Sequence, residues 1–227
     1  EYLHYRRGPT EFYSALGAYA IGSPTVAGGA ASAGAGGAGA GAERVDAAYV
    51  AAELFAAIGQ EPLLGRPFTA EEELGAGYAA LVTEGYWRTR LGADPGVVGR
   101  PLTIDGHPWT IVGVMPSSFR LPEHLVAGTA PELILPLGIH PDTTYRRGSH
   151  FLQSVARLAD GVTLDRATAA IVGVTARFSA DFPDDYEADM GFRAAAASNS
   201  ARTCILLSAG RIMPSRTPRS PSIGLNS

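Results

Sequence analysis

The chain has 227 residues, of which 46% are hydrophobic, and its net charge is −4. This length allows one large domain or two small ones with a buried core, and the acidic balance argues against a general nucleic-acid surface, which is usually basic. All 18 cationic residues are arginines and Cys204 is the single cysteine, which excludes lysine-dependent phosphate loops, Schiff bases, an internal disulfide and a cysteine zinc site.

The N-terminal part of the chain combines an apolar segment with a degenerate tract. The helical spacing of Phe12, Leu16 and Tyr19 predicts a short helix over residues 11–20. Residues 27–42 contain only Ala, Gly and one Ser. A tract of this kind has high chain entropy and nothing large to bury, so we expect a flexible loop.

The signals for helices and strands become regular after this tract. Residues 44–48 are predicted to form a strand. A helix is predicted over 49–58, because its apolar residues share one stripe and Gly59 suits a C-terminal stop. Pro and Gly over 62–67 indicate a turn, and the acidic residues after Thr69 are typical of a capped helix start.

The middle of the chain predicts a capped helix followed by a hairpin. Residues 81–82 are a strand candidate, and Thr83 is placed to cap a helix that ends at Gly92. Asp105-Gly106 within residues 101–114 predicts a tight β-hairpin. Pro108 cannot donate a ladder hydrogen bond, so we expect that position at an edge or a bulge.

Three further strands and one long helix are predicted in the C-terminal half. The strands are residues 133–135, 151–158 and 191–196, with a turn at Asp160-Gly161. Thr163 opens a helix whose apolar stripe is continuous at three- and four-residue spacing. That stripe consists of Leu164, Ala167, Ile171, Val174 and Phe178. Residues 198–227 lose this periodicity and are rich in Ser, Pro and Arg, so we expect a disordered or aberrant tail.

Three blocks of the sequence resemble a known family. They are Val45 to Phe68, Tyr86 to Pro116, and Val155 to Pro183. In this order they are similar to the MacB-like periplasmic core domain of ABC transporter permeases, in the macrolide-exporter and FtsX-like permease family. The tail after Ala201 departs from the family pattern, which continues into a long apolar helix, and we interpret it as a frameshifted or truncated reading.

The resemblance implies an α+β fold with two lobes. Residues 1–59 and 151–197 would form a βαβ porter-like lobe, and residues 60–150 an inserted, smaller β-rich lobe. The Gly and Pro residues of Gly59 to Arg66 suggest a crossing between these lobes.

The resemblance also implies a non-enzymatic, extracytoplasmic (periplasmic) domain that transmits motion or contacts a partner or cargo during export. ATP would be hydrolysed by a separate nucleotide-binding domain or subunit, reached through membrane helices outside this sequence, since the chain begins at Glu1 as an excised fragment would. The expected partners are that subunit, a second permease copy and a periplasmic adaptor or cargo, and nucleic acid is not expected. The alternative is a stand-alone extracytoplasmic ligand-binding or adaptor domain.

We predict no catalytic, cofactor or metal site. His140 and His150, near Asp142 and Glu132, are interpreted as solvated loop residues, because no two histidines have the helical spacing of metal ligands. The acidic groups at 71–73 and 184–185 are expected in a helix start and a turn, and Cys204 has no activating partner in the sequence.

Two tryptophans and several arginines are assigned structural roles. Trp87 and Trp109 are predicted as core anchors. Arg88 and Arg90 should point away from Trp87 towards solvent or a carboxylate. A further pair of arginines, Arg66 and Arg100, follows turn glycines and is expected to bind carbonyls or acidic groups and so join the lobes.

Overall fold

A computed structural model describes residues 10–27, 41–74, 77–121, 131–138, 152–181, 190–196 and 204–211. The strands in this part are β1 (Tyr13–Gly22), β2 (Thr25–Ala27), β3 (Glu43–Arg44), β4 (Ala47–Val50), β5 (Leu64–Gly65), β6 (Ala79–Thr83), β7 (Pro101–Ile104), β8 (His107–Met115), β9 (Leu133–Pro136), β10 (Gln153–Leu158), β11 (Met190–Ala196) and β12 (Cys204–Arg211). The helices are α1 (Leu54–Ile58), α2 (Ala70–Glu73), α3 (Glu84–Arg90) and α4 (Leu164–Asp181), with 3-10 turns at Thr10–Phe12 and Pro95–Val97.

All twelve of these strands belong to one mixed sheet. Its order is β11-β12-β10-β1-β4-β9-β6-β8-β7-β2-β3, and β5 pairs with β8. The β4–β9 and β6–β8 pairs are parallel, whereas the neighbours β1–β10, β1–β4 and β7–β8 are antiparallel. A mixed sheet covered by helices confirms the predicted α+β class.

The two faces of β1 carry different helices, because successive side chains of a strand point to opposite faces. On one face α1 lies so close that a Cβ atom added to Gly17 would overlap the backbone of Leu54. On the other face Leu16 and Ala18 pack with Ala167 of α4. The sheet is therefore the middle layer of the domain.

The helix predicted over residues 11–20 is wrong, because residues 13–22 form β1. This strand lies between β10 and β4 and exchanges backbone hydrogen bonds with both. Its interior, residues 16–19, is buried on both faces, so the apolar residues show no alternation. Short apolar runs of this kind fit helix and strand periodicity equally well.

The elements predicted over 44–58 are shifted in the structure. A strand covers residues 47–50, and α1 begins only at Leu54. The predicted stop is confirmed: Gly59 has a left-handed φ of 70°, and its N–H donates to the carbonyl of Phe55. Residues 47–50 pair with β1 and β9, and this pairing outweighs the helix preference that their apolar spacing suggested.

Several local predictions are confirmed. Thr69 forms a capping box with Glu72, and Thr83 caps α3 by accepting from the N–H of Tyr86. The β7–β8 hairpin turns at Asp105-Gly106, and Pro108 lies outside the stretch of β8 that pairs with β6. Signals that depend on a few adjacent residues were sufficient to locate these features.

The C-terminal half follows the predicted order with one difference. The long helix runs from Leu164 to Asp181, and residues 153–158 and 190–196 are strands as expected. Residues 204–211 do not fit the predicted disordered tail, because they form β12 between β10 and β11.

The predicted Ala/Gly loop lies mostly outside the described residues.

The core extends across both predicted lobes. One buried cluster combines Tyr19 and Val155 with Leu81 and Met115. A second cluster combines Ala47 with residues of β6, β7 and β8. In addition, β2 and β3 pair next to β7, inside the region assigned to the inserted lobe. The two predicted lobes thus share one sheet and contribute to the same buried clusters, and their boundaries stay a prediction.

Candidate functional site

Two of the three acidic residues at 71–73, Glu72 and Glu73, have structural partners. Arg66 donates to the two carboxylate oxygens of Glu72 at 2.8 and 2.7 Å. This contact, followed by the Thr69 N–H, holds the pKa of Glu72 below its ordinary value. The neighbouring Glu73 is only 1% exposed and accepts the N–H of Ala52 at 3.0 Å. These carboxylates are therefore engaged in holding the backbone.

The residues considered for a metal site are only partly described. His140, His150 and Asp142 lie outside the described residues, as do Asp184 and Asp185. Glu132 is described, and its N–H donates to the carbonyl of Asp46 at the start of β9. Within the described ranges, no three side chains of His, Cys, Asp or Glu form a possible metal site. The expectation of no site stays a prediction.

Two buried tyrosines are the strongest candidates for unusual chemistry in the described part. The hydroxyls of Tyr19 and Tyr86 are buried without a hydrogen-bond partner there. Burial, followed by the charge of Glu43, raises the pKa of Tyr86 to about 12. Burial also raises the pKa of Tyr19. Both phenols are therefore neutral at physiological pH and are not activated nucleophiles.

The tryptophans pack as predicted. Trp87 is 9% exposed, and its indole N–H donates to the carbonyl of Asp94 at 2.9 Å. Trp109 is half-buried against the same cluster. One detail is wrong: Arg88 lies over the Trp87 ring, 5.7 Å from its centroid, while also binding Glu84.

The turn arginines bind acidic groups, but they do not join the lobes. Arg66 pairs with Glu72, and Arg100 pairs with Asp94 at 2.9 Å. Both pairs lie inside residues 60–150, because each partner is six residues from its arginine. A longer-range pair is formed by Arg90, which binds Glu43 of β3 at 3.0 Å.

An exposed aromatic cluster was not anticipated. The ring of Tyr78, which is 49% exposed, stacks with His107 at 5.3 Å and meets Trp109 edge-on at 5.1 Å. These residues lie where β6 and β8 begin, because Tyr78 precedes the pairing of Ala79 with Thr110. Sequence gives no signal for this cluster, since the pairing of β6 with β8 is what brings the rings together.

The segment predicted as a lobe crossing is bound to the sheet. The N–H groups of Leu63 and Arg66 donate to the carbonyls of Val114 and Val112, at 2.7 and 3.1 Å. Gly65 pairs with Gly113 between them. Backbone hydrogen bonds on both sides of this pair fix the segment along β8.

The centre of the sheet is the junction between the two predicted lobes. β9 pairs with β4 on one side and with β6 on the other. All four of its residues are buried, and Ile134 contributes to the cluster that contains Tyr19. The two halves of the sheet are therefore joined through β9 and through this buried cluster.

Comparison with known proteins gives a family and a fold. The profile of the MacB-like periplasmic core domain matches residues 6–174, more than half of the chain. No curated protein matches the sequence. None of the helices in the described ranges has the length and apolarity that a bilayer crossing requires.

Two solved structures have a similar fold. The periplasmic region of MacB from Actinobacillus actinomycetemcomitans is 12% identical, with a TM-score of 0.55, and the match covers 78% of this chain and 72% of that one. A domain of a protein described as a permease, from Porphyromonas gingivalis, is 15% identical with a TM-score of 0.51, over 88% of this chain and 74% of that one. The chain thus belongs to the MacB-like periplasmic core domains, and it is the periplasmic domain of an ABC-type transporter permease.

Proposed function

We propose that this domain catalyses no reaction and instead transmits motion during export, as one body. ATP is hydrolysed in a separate nucleotide-binding domain or subunit, and a second permease copy faces this one across the transporter. A periplasmic adaptor or the cargo is a further partner. Family membership supports the transporter setting, and the mechanical role is supported by the structure of the sheet.

The observation that carries the proposal is the continuous sheet with its shared core. Twelve strands are hydrogen-bonded into one layer, and a single buried cluster includes residues from both ends of the sequence, such as Tyr19 and Val155, together with Leu81 and Met115. Close-packed interiors are poorly compressible and transmit strain. A displacement applied at one end of this domain is therefore passed on rather than absorbed.

Spin labels in the full-length permease test this proposal. Val172 on α4 and Val98 beyond α3 are 55% and 42% exposed, so cysteines there, in a Cys204→Ser background, accept labels without disturbing the core. We expect the distance between the Val172 sites of two permease copies to change by about 5 Å or more between nucleotide-free and ATP-trapped states, as in known subunit motions.

The matched control is the pair Val98 and Val172 within one domain. Its distance should stay constant between the same two states, because a rigid body moves without changing shape. A constant distance between copies would contradict transmission of motion. Turnover of a small molecule by the purified domain would contradict the absence of catalysis.

A further inference from the structure

Helix α1 is held at its N-terminal side by a residue from another part of the chain. It has only five residues, and isolated helices of this length are unstable in water. The N-cap residue, Glu53, makes no side-chain capping hydrogen bond. Instead, the carboxylate of Glu73 on α2 accepts the N–H of Ala52 at 3.0 Å. This hydrogen bond ties the backbone that enters α1 to the carboxyl group of Glu73.

The C-terminal end of α1 is held by an arginine from β10. Arg157 of β10 donates from Nε to the carbonyl oxygen of Ala56 at 3.0 Å. That carbonyl belongs to the last turn, which has no partner within the helix. The guanidinium also lies over Gly59, where an added Cβ atom would overlap it. Positive charge complements this end of the helix.

The body of α1 rests on the sheet and on the segment that leads to α2. Leu54 lies directly on Gly17 of β1. Phe55 meets Phe68 edge-on, with ring centroids 5.9 Å apart. Because this segment is also bound to β8 through β5, α1 contacts elements from both halves of the sheet.

We infer that Glu73 and Arg157 form a two-ended clamp on α1, which couples residues 60–74 to β10. The route runs from β8 through β5 and α2 to α1, and from there to β10. It bypasses β9, so it connects the two halves of the sheet by a route outside the pairing of the central strands. Its use in export depends on the proposed function, but its existence does not.

Amide hydrogen exchange tests the clamp, because a substitution at one end of α1 should also raise the exchange rate at the other end. Glu73→Ala should raise exchange about tenfold at Ala52, and at least about threefold at Gly59 and Gln60, because local opening is set by the free energy of the cooperative unit. Arg157→Ala should produce the same pattern from the other end, since coupling between sites is reciprocal. Rates are compared with amides of β6, which report global unfolding.

Matched control variants distinguish the loss of the clamp from the loss of a charged side chain alone. Glu71→Ala removes an exposed carboxylate from the same helix as Glu73, and Arg166→Ala removes an exposed guanidinium. Both should leave the exchange of Ala52 and Gly59 unchanged. If each clamp variant affects only the amides at its own end of α1, the inference is overturned.

A second variant keeps the test decisive if Glu73→Ala does not fold. Glu73→Gln keeps one oxygen acceptor but replaces the other carboxyl oxygen with an NH2 group, which cannot accept, so we expect a smaller rise of about threefold at both ends of α1. No change at either end would overturn the clamp. The outcome is independent of the spin-label experiment, because a permease whose copies do not move could still show reciprocal exchange in this domain.

Discussion

At the scale of single residues, two glycines allow one backbone segment to lie directly on another. Gly65 has a φ of 76°, and an added Cβ atom would overlap the carbonyl oxygen of Val112. Gly113 faces it, and an added Cβ atom there would lie 2.6 Å from the carbonyl oxygen of Leu64. The sequence indicates a turn at this point, but the contact with β8 arises only in the folded domain.

Gly65→Ala should therefore be strongly destabilising. The left-handed conformation costs an alanine about 1–2 kcal/mol, and the overlap adds a packing cost of about 1–3 kcal/mol. Urea unfolding measures the sum. Gly138→Ala is the matched control, because Gly138 also has a positive φ, 67°, but no atom near the added Cβ. Equal losses in the two variants would show that the close approach contributes nothing.

Glu72 should make the unfolding free energy of the domain depend on pH. Its hydrogen bond with Arg66 lowers the pKa of the folded state, so the unfolded chain binds the proton more readily. The stabilisation is then complete above the ordinary carboxyl pKa and is lost as pH falls through the folded value. The difference in unfolding free energy between the native chain and Glu72→Gln should shrink from pH 7 to pH 3. A difference that stays constant over this range would show that the contact with Arg66 does not cause the dependence.

At the scale of elements, the β7–β8 hairpin shows how a local signal also serves a tertiary contact. Asp105 and Gly106 have φ values of 47° and 80°, as a type I′ turn requires. The Asp105 carboxylate accepts the N–H of Thr25 at 2.8 Å, and its own N–H donates to the carbonyl of Thr25. The turn therefore holds the beginning of β2 beside β7.

Asp105→Ala should loosen this junction. It places an alanine in the left-handed region, at about 1–2 kcal/mol, and removes the exposed hydrogen bond to the Thr25 N–H, at about 0.5–1.5 kcal/mol. Thermal unfolding and the chemical shifts of β2 would detect both effects. Asp105→Asn keeps the turn preference and the oxygen acceptor, so it should behave almost as the native chain. A loss as large as that of the alanine variant would exclude the hydrogen bond as the cause.

At the scale of the whole molecule, the shared core bears on the two predicted lobes. Tyr19 and Val155 belong to the first predicted lobe, and Leu81 and Met115 to the second, yet all four lie in one buried cluster. The strands of both lobes also form one sheet. Lobes that share a core in this way cannot move apart without exposing it to water.

We therefore expect the domain to unfold in a single cooperative transition. Trp87 and Trp109 both lie in residues 60–150, so tryptophan fluorescence reports that region, while far-ultraviolet circular dichroism reports the whole chain. The two signals should give coincident urea curves, as two-state unfolding requires. Separate midpoints would instead support two independent lobes.

The sequence alone determined the features that depend on neighbouring residues. The Thr69 and Thr83 caps, the Asp105-Gly106 turn and α4 were all predicted, because side-chain bonding and φ preferences act over a few residues. The family was also recognisable, since its blocks keep their order along the chain. Only the tertiary structure decided that residues 13–22 form a strand, that residues 204–211 join the sheet, and that Glu73 and Arg157 meet α1. These outcomes depend on partners that are far apart in the sequence, such as Tyr13 and Leu158, whose hydrogen bonds and burial outweigh local propensity.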